Sequence, residues 1–170
     1  PHRRSEYGGV PPKNQGDYAW VQHMLASASP DGGRVGVVMP HGVLFRSGAE
    51  AKIRQHLIES DLLEAVIGLP ANLFYGAGIP ACLLIFRKEK AAGDKGKVRI
   101  VDGSKRFVAG RAQNSLSDQD VAALFEAYTD TDAEIENVKQ AVVDVSEIEA
   151  NDWDLNIGRY IEQDAAEIID

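Results

Sequence analysis

Apolar residues recur along the chain in two periods, one helical and one extended. Tyr18, Val21, Met24 and Leu25 return at three- and four-residue spacing, which predicts an amphipathic helix from Asp17 to about Ser27 with Asp17 as its N-cap. Ser29-Pro30-Asp31-Gly32-Gly33 breaks the chain. Arg34 to Met39 is short, β-branched and stopped by Pro40, so it reads as a buried strand. Ser47 and Glu50 have capping-box spacing and open a helix with Ile53, Leu57 and Ile58 on one side, which exits at Asp61. Leu63 to Leu69 is a second strand, stopped by Pro70. An eleven-residue connection, Pro70 to Pro80, leads to a third strand at Ala81 to Phe86, apolar on both faces and hence central.

Lys88 to Lys97 is a charged turn and Val98 to Val101 a fourth strand. Ser117 with Asp120 predicts an N-cap before Val121, Leu124, Phe125 and Tyr128 on one helical side. Beyond that the two periods overlap: Ile135, Val138 and Val142 fit a helix, and Ala141 to Val145 fits an extended segment equally well. Ser146 and Glu149 form a third capping box. Strands alternate with helices over the first seventy residues, which implies right-handed crossovers and a parallel start to the sheet. The link from second to third strand is too short for a typical crossover helix. Those strands are therefore antiparallel neighbours or separated by one strand. An open, mostly parallel α/β sheet with one reversed strand follows.

Composition is that of an ordinary globular chain, 44% hydrophobic and 26% charged, and no stretch reaches the roughly 20 apolar residues of a membrane span. The polar start, Pro1-His2-Arg3-Arg4, lacks a signal-peptide core and an initiator Met, so it reads as the interior of a larger gene product. The single cysteine, Cys82, lies in an apolar run and reads as a buried structural thiol in a cytoplasmic protein. The net charge of −8 is unevenly placed. Residues 1–110 hold 15 Lys+Arg against 10 Asp+Glu, whereas residues 111–170 hold 3 against 16. This divides the chain into a mildly basic body, 1–110, and an acidic, mainly helical extension, 111–170. The first permits nucleic-acid contact and the second repels phosphates.

The usual machinery of an α/β enzyme is missing. No G-x-G-x-x-G turn or P-loop occurs, and Gly76-Ala77-Gly78 leads into a strand where a phosphate cradle leads out of one. The four His, at 2, 23, 41 and 56, lack metal-ligand spacing, and His23 and His56 fall on predicted helices. No Ser/His/Asp set has a recognisable elbow. In open α/β sheets ligands bind beyond the carboxyl ends of the strands. Here those ends are Pro40-His41-Gly42-Val43-Leu44-Phe45 and the connection Pro70 to Pro80. Phe45 and Leu73 are expected to tuck into the core. Phe74 and Tyr75 are adjacent, so in an extended loop one packs inward while the other faces a ligand. Phe74, Tyr75, Pro40 and His41 are thus the candidate contact residues.

Several runs together resemble a known family. They are Gly9-Val10-Pro11-Pro12-Lys13-Asn14-Gln15-Gly16-Asp17-Tyr18, Val38-Met39-Pro40-His41-Gly42-Val43-Leu44-Phe45-Arg46 and Leu63-Glu64-Ala65-Val66-Ile67-Gly68-Leu69-Pro70. Asn72-Leu73-Phe74-Tyr75-Gly76-Ala77-Gly78-Ile79-Pro80 and the closing Asn151-Asp152-Trp153-Asp154-Leu155-Asn156-Ile157-Gly158-Arg159-Tyr160 follow in order. Across residues 8–161 the chain resembles the modification subunits of type I restriction systems. The resemblance implies the C-terminal half of a class I, Rossmann-like methyltransferase sheet with a helical acidic tail, its first three strands being the fifth, sixth and seventh of that sheet. It implies transfer of a methyl group from S-adenosyl-L-methionine to adenine N6 in DNA, with the target base flipped out and stacked on aromatics. It further implies DNA, a specificity subunit, a restriction subunit and a second modification subunit as partners.

The catalytic Asn-Pro-Pro-Phe and the Gly-rich cofactor half of that family are absent from these residues. The resemblance therefore carries over no catalytic and no cofactor-binding residue, and leaves only the loop after the second strand as a base-contact segment. The chain alone is expected to be inactive and to self-associate through its exposed sheet edge. Two other readings stay open: a non-catalytic interaction scaffold derived from a methyltransferase half, and an unrelated small-molecule α/β enzyme.

Overall fold

The computed structural model describes residues 6–161. Its elements run α1 (Asp17–Ser27), β1 (Arg34–Pro40), α2 (Ala49–Glu59), β2 (Leu63–Gly68), β3 (Ala81–Arg87), β4 (Lys97–Asp102), α3 (Asp118–Thr129), β5 (Lys139–Asp144) and α4 (Val145–Ala150). Short 3-10 turns lie at His41–Leu44, Ala92–Asp94 and Ile157–Arg159. The five strands form one sheet in the order β1-β3-β2-β4-β5.

β3 runs antiparallel to β1 on one side and to β2 on the other. It is the reversed strand that the short Pro70–Pro80 connection demanded, placed between the first two. β2 and β4 are parallel, and β5 returns antiparallel along β4. Three strands thus share a direction, and β5 is a second reversed strand beyond the one expected. With β3 separating β1 from β2, and β5 antiparallel to β4, β2–β4 is the only parallel pair in the sheet among the described residues. β5 also resolves the overlap of periods near residue 141 as extended. The helix that follows begins at Val145 on an N-cap Asp144 with no side-chain bond, so Ser146 and Glu149 form no capping box.

The pleat of β2 sends alternate residues to opposite faces. Val66 joins α1 and α2 in one core, with Tyr18, Val21, Leu25, Ile53, Leu57 and Ile58, and with Ile148 and Leu155 from the C-terminal segment. Ala65 and Ile67 join α3 in the other, through Leu124, Ala127 and Tyr128. Cys82 is fully buried near the start of β3, and burial pushes its thiol up to about 12. α3 opens on a true capping box: Ser117 Oγ accepts from the Asp120 amide at 3.2 Å, and the Asp120 carboxylate accepts from the Ser117 amide at 2.8 Å.

Two other caps differ from expectation. The N-cap of α1 is Gly16 and that of α2 is Gly48, neither with a side-chain bond. Glu50 does not reach back to Ser47; it is fully buried, 3.5 Å from the Arg46 guanidinium. No helix among the described residues is long and apolar enough to cross a membrane.

Candidate functional site

Because β1 and β2 both oppose β3, and β4 parallels β2, their carboxyl ends share one edge of the sheet. Pro40 pairs with Ala81, the first residue after the Pro70–Pro80 connection. The turn at 41–48 leaves this edge from β1 and the loop at 70–80 leaves it from β2 and re-enters through β3, the strand between them. A third connection, residues 103–117, leaves it from the end of β4.

The first turn is braced from below. Tyr18 Oη donates to the Val43 carbonyl at 2.6 Å. The nearly buried Arg54 donates from Nη1 to the carbonyls of Val43 (3.2 Å) and Arg46 (3.0 Å), and from Nε to that of Trp153 (2.8 Å). The Leu155 amide donates to the Leu44 carbonyl at 2.9 Å, so the closing Asn151–Tyr160 motif is tied to the same turn. Arg46 pairs with Asp17 at 2.9 Å and with Glu50. Val43 and Leu44 are buried, but Phe45 is 49% exposed, against the expectation that it joins the core. The 3-10 turn spends its two inward positions on Val43 and Leu44, and the next residue faces out.

His41 is half-buried at the start of this turn, and its Nε2 has no hydrogen-bond partner among the described residues. Desolvation lowers its pKa below the ordinary histidine value, against an opposing pull from Asp102. At neutral pH His41 is therefore an uncharged imidazole, a donor or acceptor but not a phosphate-pairing cation.

The second loop is a turn on a stalk. The Ala77 amide donates to the Phe74 carbonyl at 3.0 Å, which closes the four-residue turn Phe74-Tyr75-Gly76-Ala77. Its third residue, Gly76, has φ 72°, a conformation glycine adopts without steric cost. Tyr75 occupies the apex and is 98% exposed. Phe74 is 47% exposed and leans along a groove that continues down the sheet face beside α3. Leu73 packs at the edge of the α3 core, as expected. The groove, about 680 Å³, is floored by Val38, Leu83 and Ile85 of β1 and β3 and walled by Val121 and Phe125 of α3. Of the four sequence-derived candidates, Phe74 and Tyr75 share one turn, whereas Pro40 and His41 stand on the neighbouring strand end.

The 103–117 connection carries what sequence reading missed. Val108 and Ser115 exchange backbone hydrogen bonds of 2.8 and 3.0 Å, which folds it into a hairpin. From that hairpin the Asn114 amide donates to the Asn72 carbonyl at 2.9 Å, Asn114 Nδ2 to the Ala71 carbonyl at 3.0 Å, and Gln113 Nε2 to the Leu73 carbonyl. Nothing in apolar periodicity marks these residues. The available signal was an adjacent pair of side-chain amides in a polar run, where each can bond a stray backbone group.

A methyltransferase needs a cradle for its methyl donor, ordinarily a glycine turn from strand to helix. Two strand-to-helix connections here carry a glycine next to their strand: Gly42 after β1, whose open side is filled by the Arg46 guanidinium, and Gly103 after β4, whose open side is filled by the Leu124 side chain and the Gly68 carbonyl. The described residues therefore offer no cradle, and no step involving a methyl donor is assigned to them. Among the described residues no group of three or more His, Cys, Asp or Glu is placed to hold a metal ion.

Comparison with known proteins places this arrangement. The N-6 DNA methylase family pattern matches residues 2–168. The MjaVII type I restriction enzyme methylase subunit of Methanocaldococcus jannaschii is 39% identical over 157 residues, 91% of this chain and 26% of that subunit. The HindI methylase subunit of Haemophilus influenzae is 30% identical over 161 residues, 90% of this chain and 35% of that protein. The crystal structure of a type I restriction-modification methyltransferase subunit from Streptococcus thermophilus superposes with a TM-score of 0.85 at 35% identity, covering 94% of this chain and 33% of that one. The chain thus spans about a quarter to a third of the length of these relatives. With the family pattern running through nearly all of its residues, the chain belongs to the N-6 DNA methylase family.

Proposed function

We propose that this chain is the part of a type I modification subunit that presents a contact loop to the target adenine. The intact subunit methylates adenine N6 in DNA with S-adenosyl-L-methionine held by residues outside this chain. The observation that supports the reading is Tyr75, almost wholly exposed at the apex of a closed turn on the carboxyl edge of the sheet. A fully exposed aromatic ring on an ordered turn serves no packing purpose; it suits stacking on a base. Flipping a base costs a few kcal/mol of lost stacking, and an aromatic face returns about 1–3 kcal/mol. Phe74 lies half in the groove and is the weaker candidate, and the uncharged His41 with Pro40 lines the neighbouring strand end.

The test uses the intact subunit in its complex. Tyr75→Ala is expected to melt like the wild type and to methylate at least about tenfold slower, equivalent to about 1.4 kcal/mol. Phe74→Ala is expected to lose rate only with folded protein. Wild-type methylation by Tyr75→Ala would remove the base-contact reading.

The partners on this reading are DNA, a specificity subunit, a restriction subunit and a second modification subunit, assembled in the cytoplasm. Alone, the chain associates with itself, because β1, paired with β3 on one side, has no strand on the other among the described residues, and the groove beside it leaves Val38 48% exposed. Sedimentation at micromolar concentration is expected to show a dimer or larger species, which Val38→Asp converts to monomer; a wild-type monomer overturns this. One observation favours a second reading, a non-catalytic scaffold: the filled strand-to-helix turn at Gly42. An intact subunit that assembles with its partners but transfers no methyl group to DNA would select it.

A further inference from the structure

The 70–80 loop owes its position to the hairpin beside it. At its base the Leu69 amide bonds the Ala81 carbonyl, and at its tip the Phe74–Ala77 turn closes on itself. Between base and tip, Ala71, Asn72 and Leu73 give their three successive carbonyls to Gln113 and Asn114, some forty residues away in sequence. Two of those bonds come from the Asn114 residue, one from its backbone and one from its side chain. Neither Gln113 nor Asn114 belongs to the runs that carry the family resemblance.

We propose that Asn114, assisted by Gln113, is a positioning residue that holds the 70–80 loop in place for the target nucleotide. This rests on the base-contact reading of Tyr75. The physical argument is preorganisation. An eleven-residue loop free to swing must be ordered at the moment of binding, and each residue fixed then costs conformational entropy. The latch orders the stalk beforehand. Its loss leaves the Phe74–Ala77 turn intact, since that bond is internal to the loop, but releases the turn from its place on the sheet edge. Asn114→Ala removes the side-chain donor to Ala71. Asn114→Asp keeps the shape and the backbone bond to Asn72, yet turns a carboxylate oxygen toward the Ala71 carbonyl.

The experiment is a double-mutant cycle on the intact subunit in its complex, with hydrogen exchange as a second readout. Asn114→Ala and Asn114→Asp are each expected to slow methylation about tenfold with an unchanged melting temperature. In a Tyr75→Ala background the same changes are expected to cost less than about twofold, because the ring being positioned is gone. The amide of residue 114, which donates to Asn72, is expected to exchange at least about fivefold faster in both variants. Wild-type rate and exchange in Asn114→Ala, with Tyr75→Ala slow, overturn the latch and leave the base-contact reading standing. A silent Tyr75→Ala with a slow Asn114→Ala removes the base-contact reading and moves the latched contact to another loop residue. Rate losses that add in the double variant, or that track lost folded protein, make Asn114 merely structural and overturn the proposal.

Discussion

The two loops that leave the same sheet edge from β1 and β2, on either side of β3, are held in opposite ways. The 41–48 turn is braced by buried polar groups of the core, the Tyr18 hydroxyl and the Arg54 guanidinium. The 70–80 loop is held by side chains of an exposed hairpin and ends in a ring that touches nearly nothing. The difference separates two kinds of motif. Residues of the first turn are bound up with the stability of the fold, and a change there is felt as unfolding. Residues of the second can change with little cost to stability, so their identity is free to answer to a ligand.

The largest effect expected from this contrast is at Arg54. Arg54→Ala leaves the Val43, Arg46 and Trp153 carbonyls without their guanidinium donor and takes a cation from beside Glu50. It is expected to cost about 3 kcal/mol in urea denaturation. A loss under about 1 kcal/mol would erase the distinction between the two loops.

Next in size is a pH dependence seated in the same turn. Burial lifts the Glu50 carboxyl above its ordinary value; Arg46 pulls it down, and Asp17 adds to the lift. A raised folded-state pKa means that the folded protein holds this proton more tightly than the unfolded chain. The resulting stability is full below the ordinary glutamate value and is lost as pH rises through the raised one. Glu50→Gln keeps the neutral shape, so it is expected to melt above wild type at neutral pH, with the gap closing toward acid. A gap independent of pH would contradict the assignment to Glu50.

The smallest stability effect is expected at Tyr75. With its side chain exposed, Tyr75→Ala should change the folding free energy by no more than about 0.5 kcal/mol, whatever it does to methylation. A larger loss would mean that the ring packs in the folded protein, and the contrast between the loops would fail from the other side.

What could be read from sequence tracks the range of the interactions. β1, β2 and β3 were legible because each is a short apolar run closed by a proline or a charged turn; burial on both faces holds for β2, whereas β1, read as a buried strand, is an edge strand with Arg34, Gly36 and Val38 exposed on one face. The reversal of β3 was legible because the chain between Gly68 and Ala81 is too short for a crossover helix. The Ser117–Asp120 box formed because Asp120, although buried and paired with Arg106, stays turned toward the helix end it caps. Ser47 and Glu50 have the same spacing, but the chain enters α2 through Gly48 at φ 74°, and Glu50 is drawn inward to Arg46. Tertiary placement overrode a local signal. The Asn114 latch was illegible for the opposite reason. It joins polar groups some forty residues apart, and neither end leaves a periodic trace. Of the site, the loop and its aromatics could be named in advance, but not which ring stands clear nor what holds it.

Cys82 has a practical consequence. It is the chain's only cysteine, it is fully buried on a strand hydrogen-bonded along both sides, and its thiol titrates near 12. A thiolate-seeking reagent meets almost none of the reactive form in the closed sheet. Modification therefore waits for β3 to part from β1 or β2, and the labelling rate becomes a clock for that opening. Read beside loop substitutions, this clock separates changes that loosen the sheet from those confined to its edge.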